Sequence, residues 1–162
     1  TGPSASAPTS GPAAGGGASG TGPSAAFCSL VTLDEARAAL GGPVKPGLDR
    51  ATRSSPFPGG GSCLYNGTTS VIGASYVVNV IVLGTKIPRS VYDSEFKGNP
   101  DAGPITPVPG LGEDAFSVPG VVSVFDHGLV MALEIVKNSR PADIAVIVGL
   151  LRKALARAGG LR

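Results

Sequence analysis

Only two cysteines and one histidine occur among the 162 residues, and this scarcity excludes several kinds of site. Metal and thioredoxin-like redox sites are typically marked by closely spaced cysteines or by several histidines. Cys28 and Cys63 form no C-x-x-C pair, and His127 lies far from both along the chain. We therefore expect no metal and no cofactor.

A strong charge of either sign is also lacking. Thirteen basic and eleven acidic residues leave a net charge of +2, too small for a nucleic-acid footprint or a polybasic membrane patch. Long hydrophobic runs are missing as well. The longest uncharged stretch that reads as one element, residues 71–83, contains Asn79 and is shorter than the ~20 residues that a membrane-spanning helix needs. We expect neither a nucleic-acid partner nor a membrane span in this chain.

Residues 1–26 contain only Thr, Gly, Pro, Ser and Ala. Such a segment buries too little apolar surface to offset its ordering entropy, so it is predicted to be a disordered tether. We expect an anchoring or targeting segment upstream of it; an interdomain linker or an arbitrary sequence boundary are the alternatives. Residues 27–162 have the length of a single domain.

The cysteine count is even, and an export-like tether is typical of chains that reach an oxidising compartment. Both points favour a disulfide between Cys28 and Cys63, with two unrelated buried thiols as the alternative.

Three helices are predicted. Thr32 and Glu35 form a capping-box pattern at the start of the first, which ends near Gly41. The second covers residues 88–97. The third is the clearest; we expect Ser139 to cap it and Pro141 to lie in its first turn.

Strands are predicted over residues 63–65, 73–83, 113–118, 120–125 and 129–137. Asn66-Gly67 and residues 126–128 have the residue types of tight hairpin turns. Apolar residues on both faces of 73–83 predict a central strand that is covered on both sides. The predicted class is therefore α+β: one domain with an antiparallel sheet packed by about three helices, and a weak internal duplication in the order of its elements.

No catalytic constellation is evident, and the catalytic site is predicted to be absent. His127 follows Asp126 in a predicted turn, no G-x-S-x-G elbow marks a serine, and the glycine runs lack the Lys-Ser/Thr of a phosphate loop. The carboxylates of Glu113-Asp114 and of Asp93 and Glu95 are interpreted as solvated charges.

Two segments carry a resemblance to a family. Residues 27–32, FCSLVT, precede a short Ala-rich helix, and residues 108–116 read VPGLGEDAF. In these segments the chain resembles small secreted lipoproteins of high-GC Gram-positive bacteria, many of which have no assigned activity. The resemblance implies a lipid-anchored protein on the outer face of the cell membrane, with Cys28 bonded to Cys63. The chain is also similar to the external sensor region of some bacterial receptor kinases.

Together these observations favour a non-enzymatic binding or accessory module tethered to the cell envelope. Its predicted binding surfaces, for a protein or a small molecule, are the loops at residues 41–62 and 99–112, because long loops on a rigid sheet often carry recognition. The alternatives are a sensor domain of a receptor kinase and an envelope hydrolase that uses His127.

Overall fold

A computed structural model describes residues 27–51, 57–68, 74–99 and 103–161. In this part of the chain, eight strands form one sheet in which all neighbours are antiparallel, in the order β1-β2-β3-β7-β6-β5-β4, with β8 added to β7. The strands are β1 (Leu48–Ala51), β2 (Gly61–Asn66), β3 (Tyr76–Gly84), β4 (Thr106–Pro107), β5 (Asp114–Val118), β6 (Val121–Asp126), β7 (Leu129–Lys137) and β8 (Arg140–Pro141). Together with the helices they confirm the predicted α+β class.

Three helices accompany the sheet in the described ranges: α1 (Leu33–Leu40), α2 (Arg89–Val91, continued by a π-helical turn over Tyr92–Lys97) and α3 (Ile144–Arg157, followed by a 3₁₀ turn over Ala158–Leu161). The capping box of α1 is present, and Gly41 ends the helix in a left-handed conformation. The predicted second helix is therefore confirmed in position, although most of it is π-helical.

Alternation along the strands gives the sheet two unlike faces. Side chains such as Val80, Val124 and Leu133 point to the first face, where they meet α1, α3 and the segment before α1. This face holds the main core. The second face carries a smaller cluster at one end, where Tyr92 of the π-helical turn packs on Phe116 and Phe125.

Helix α3 begins later than the sequence predicts. Its N-cap is Asp143, whose side chain accepts a hydrogen bond from the Ala145 amide. Asn138 and Ser139 instead have positive φ angles of 54° and 56° and turn β7 back into β8. The prediction that Ser139 caps the helix is wrong, because its φ suits a hairpin turn and its hydroxyl accepts a hydrogen bond from the Ser75 amide.

The turn predicted at Asn66-Gly67 is also wrong. Asn66 pairs with Val77, and the Gly67 amide donates to the Tyr76 carbonyl, so both residues continue the ladder between β2 and β3. The connection follows them, and residues 69–73 of it lie outside the described residues. A close approach explains Gly67, because a Cβ there would lie 2.6 Å from that of Tyr76.

Strand β3 is central, as predicted, with β2 on one side and β7 on the other. Its first-face side chains Val78, Val80 and Val82 are buried, whereas the side chains of the opposite set, such as Val77 and Ile81, are only partly buried. The prediction of full cover on both sides is therefore wrong for the second face.

The predicted internal duplication is matched by the strands but not by the helices. The meanders β1-β2-β3 and β5-β6-β7 meet where β3 pairs with β7, so their strand orders mirror each other. However, the helix after β3 packs on the second face and the helix after β7 packs on the first. The two halves therefore place their helices on opposite faces of the sheet.

Candidate functional site

The segment before α1 is fastened to the sheet by the predicted disulfide. Cys28 and Cys63 are bonded, with a Cα–Cα distance of 4.9 Å. Gly47 packs against this bond so closely that a Cβ would lie 2.5 Å from Cys63 Sγ. The Tyr65 hydroxyl donates to the carbonyls of Cys28, at 3.0 Å, and Val31. Backbone that is distant from β2 in sequence is thus fixed on the first face.

An ion pair joins α1 to α3 beside this segment. The Nη1 and Nη2 atoms of Arg157 donate to the Glu35 carboxylate, at 2.6 and 2.7 Å, and Nη1 also donates to the Leu30 carbonyl at 2.9 Å. Glu35 closes the capping box by accepting from the Thr32 amide at 2.9 Å. The hydrogen bonds from Arg157, above all, lower the pKa of Glu35 to about 2, so this carboxylate stays ionised at neutral pH.

A groove lies between the two helices that this ion pair joins. Its volume is about 320 Å³, and its lining is mostly apolar and small. The lining residues are Glu35, Ala38, Ala39, Ala145, Val146, Gly149, Leu150 and Lys153. Helix α1 supplies one wall and α3 the other, so rigid elements hold the shape of the groove.

Gly149 gives the groove its depth on the α3 side. It lies inside a 14-residue helix, and apart from the adjacent residues and the backbone of its own helix, no atom of the described residues lies within 4 Å of the position that its Cβ would take. Packing therefore does not require glycine here, although glycine inside a helix costs about 1 kcal/mol relative to alanine. Ile144 and Val146, on the same helix, are 45% and 44% exposed. The helix thus presents apolar surface and open space to the solvent.

Lys153 is the cation at the charged end of the groove. Its ammonium lies 3.6 Å from Glu35 Oε1, and its side chain is 62% exposed. The Glu35 carboxylate is already held by the shorter contacts to Arg157. Lys153 thus adds an exposed positive charge beside the Glu35 carboxylate at this end of the groove.

A second group of functional side chains meets at the turn between β6 and β7. As predicted, His127 lies in a tight turn; its φ is 51° and that of Gly128 is 80°. Its Nδ1 atom lies 3.1 Å from Asp126 Oδ1 and 3.5 Å from Glu113 Oε1. The sequence interpretation of Glu113 as an isolated solvated charge missed this contact, since Glu113 is brought here by the β5–β6 pairing.

Two of the other three predicted carboxylates, Asp93 and Asp114, are ion-paired, whereas Glu95 is exposed. Asp114, only 18% exposed, accepts from Arg89 at 2.9 Å and from Lys97 at 2.7 Å. Asp93 pairs with the same arginine at 3.0 Å. The interpretation of Asp93 and Asp114 as solvated charges is thus corrected, because the helix at 89–97 packs its cations over the end of β5.

The two loops predicted to bind a partner contain more regular structure than expected. Residues 41–62 include β1 and the start of β2, and residues 99–112 include β4. A small cleft of about 130 Å³ is lined by residues 107–115. Parts of both loops, residues 52–56 and 100–102, lie outside the described residues. Their role in binding stays a prediction.

No protein-family model matches the chain, and no curated protein or solved structure matches it. Among the described residues, no helix has the length and apolarity needed to span a membrane.

Sequence reasoning missed the groove because its two walls are more than 100 residues apart. The sequence pattern assigns Glu35 only the role of a capping residue, and no pattern links it to Arg157. The one local signal was Gly149 within an otherwise strong helical pattern.

Proposed function

We propose that the chain is a non-enzymatic binding module of the cell envelope, and that the groove between α1 and α3 is its ligand site. The observation that carries this proposal is an open, apolar groove on two helices that are tied together by the Glu35–Arg157 ion pair. The disulfide between Cys28 and Cys63 supports an oxidising location outside the cytoplasm.

The proposed ligand is a small apolar acid. A volume of about 320 Å³ is at the lower end of the ~300–1,000 Å³ that small-molecule sites occupy. The lining offers apolar contact from residues such as Ala39 and Leu150, while Lys153 offers a positive charge at one end, where Arg157 already balances the charge of Glu35. An apolar body with one carboxylate, sulfonate or phosphate group would match both features.

Binding of anilinonaphthalene sulfonate, an apolar sulfonate that becomes fluorescent on apolar surfaces, tests this proposal. We expect saturable binding to the chain. Gly149→Leu should weaken it at least about tenfold, because the new side chain fills the groove and removes about 1.4 kcal/mol or more of binding free energy. Lys153→Gln should weaken it less, through loss of the charge.

Gly160→Leu is the matched control, since its Cβ position also meets only open space beyond the local backbone and it does not line the groove. It should leave binding unchanged. Equal affinity in the wild type and Gly149→Leu would show that the dye binds elsewhere and would remove the groove as the site. The envelope location is tested separately, by surface labelling of intact cells that express the natural gene.

A further inference from the structure

We propose that Glu113, Asp126 and His127 form a binding site for a divalent transition-metal cation, with Zn²⁺ as the best fit. This site lies at the β6–β7 turn and is independent of the groove. One donor atom from each of these three side chains lies within 4.8 Å of the donors of the other two. Neither the sequence spacing nor the resemblance indicates such a site.

The distances between the donor atoms suit a tetrahedral ion. Bonds of about 2.0 to 2.1 Å to nitrogen and oxygen place neighbouring corners of a tetrahedron about 3.3 Å apart. The His127 Nδ1 atom lies 3.1 Å from Asp126 Oδ1 and 3.5 Å from Glu113 Oε1. The imidazole nitrogen therefore lies at a tetrahedral edge length from each of the two carboxylates, whose donor atoms lie within 4.8 Å of each other.

The donor set is also that of a metal site. Imidazole nitrogen and carboxylate oxygen are ordinary zinc ligands, and three protein ligands leave a fourth position for water or an outside molecule. The same nitrogen faces two carboxylates, whose negative charges favour a cation held between the three side chains.

The backbone holds the three ligands in place before any ion arrives. Asp126 is the last residue of β6, is 7% exposed and pairs with Leu129 across the turn. Residue 127 follows in a left-handed conformation. On the other side, the Glu113 amide donates to the Phe125 carbonyl at 3.0 Å. Two of the ligands are thus fixed by one turn and the third by a backbone hydrogen bond to the same strand.

Gly112 permits this approach. Its φ is 60°, and a Cβ there would lie 2.7 Å from the Phe125 carbonyl oxygen and 3.3 Å from the Asp126 Cβ. Only glycine fits against β6 at this point, and the next residue is the ligand Glu113. The GLGED sequence is therefore explained as a segment that brings one carboxylate to a turn that already holds a carboxylate and an imidazole.

The test is titration of the apo chain with ZnCl₂ by calorimetry, and with CoCl₂ by visible absorption. We expect one bound ion per chain and the d–d bands of tetrahedral cobalt. Two variants, His127→Asn and Glu113→Gln, remove one ligand each and should weaken binding at least about tenfold. Asparagine is chosen at 127 because it tolerates the positive φ of the turn. Glutamine is chosen at 113 because it has the size of glutamate and the side chain there is partly exposed.

Glu95→Gln is the matched control, since it removes an exposed carboxylate from another element, and it should bind as the wild type does. A wild type that takes up no ion would overturn the proposal. So would equal affinity in His127→Asn, which would show that the ion is held by carboxylates elsewhere. Circular dichroism spectra of all four proteins establish that each is folded, and loss of binding in a folded Glu113→Gln supports the site even if His127→Asn is disordered.

Discussion

The two faces of the sheet are held by different chemistry over different distances along the chain. On the first face, aliphatic side chains pack beneath α1 and α3, and a disulfide and an ion pair join residues 28 to 63 and 35 to 157. On the second face, a cluster of rings around Tyr92 covers one end of the sheet. Arg89 lies over the rings of Tyr92 and Phe125, at 5.6 and 5.4 Å from their centroids.

The difference shows where strong ties are needed. Bringing together elements that are distant in sequence costs more chain entropy than joining near neighbours. The first face brings together the first and the last elements of the described chain. The Cys28–Cys63 disulfide and the bidentate Glu35–Arg157 ion pair both lie there. The second face is built mainly from residues 87–130 and depends on ring packing. The groove, our proposed ligand site, lies on the first face.

The largest expected effect on stability comes from removing the Cys28–Cys63 disulfide. The double substitution Cys28→Ala, Cys63→Ala should lower the free energy of unfolding by about 2 to 5 kcal/mol, because it releases the loop that the bond closes in the unfolded chain. Urea denaturation monitored by circular dichroism measures this. The wild type under reducing conditions is the control and should show a similar loss. A decrease in the free energy of unfolding of less than about 1 kcal/mol would show that the disulfide contributes little to stability.

The Glu35–Arg157 ion pair should contribute less to the free energy of unfolding than the disulfide does, and its contribution should depend on pH. Glu35→Gln is expected to cost about 1 to 2 kcal/mol at neutral pH, because it weakens a charge-assisted bidentate pair. The pKa of Glu35 is lowered from 4.5 to about 2 in the folded protein, so its contribution is complete above pH 4.5 and is lost as the pH falls towards 2. Denaturation curves of the two proteins should therefore converge over that interval.

Asp34→Asn is the control for this experiment, since Asp34 forms an exposed pair with Arg37 on the same helix. Its effect should stay within about 0.5 kcal/mol. A constant difference between wild type and Glu35→Gln from pH 7 to pH 2 would show that packing, rather than charge, accounts for the loss.

Two buried tyrosines sharpen the comparison of the faces. The Tyr92 hydroxyl, on the second face, is buried and has no hydrogen-bond partner among the described residues, whereas the Tyr65 hydroxyl, on the first face, donates to two carbonyls. Burial raises the pKa of both phenols. Tyr92→Phe should stabilise the protein by up to about 1 kcal/mol, and Tyr65→Phe should destabilise it by about 1 kcal/mol. Thermal melts measure both changes in stability. If both variants were stabilised, or both destabilised, the proposed difference between the two hydroxyls would be refuted.

The smallest expected effect is at the groove itself. Gly149→Ala should stabilise the protein by about 0.5 to 1 kcal/mol, because alanine is the better helix former and meets open space. Gly110→Ala is the matched control: its Cβ position is equally open, but its φ of 74° disfavours alanine, so that variant should be destabilised. A destabilised Gly149→Ala would mean that the helix needs glycine for its structure, which would weaken the argument for a ligand.

Local signals account for much of the fold. The capping box at Thr32 and Glu35, the turn at residues 126–128 and the alternation through 129–137 are all patterns in which neighbouring residues determine the backbone. Prediction failed where a distant partner decided the outcome. Ser139 has the chemistry of a helix cap, but its position opposite Ser75 made it part of a hairpin turn. Asn66-Gly67 has the chemistry of a turn, but pairing with β3 kept both residues in the ladder.

The two candidate sites follow the same division. By itself, the sequence determined the helix that carries Gly149 and the turn that carries His127, because apolar spacing and residue types act over a few positions. It also determined that two cysteines were available to form one bond. Only the tertiary structure decided that α1 lies beside α3 and that Glu113 reaches His127, because those contacts depend on strand order and on which face of the sheet each helix covers. Such choices are made by burial of the whole apolar surface, to which every strand contributes.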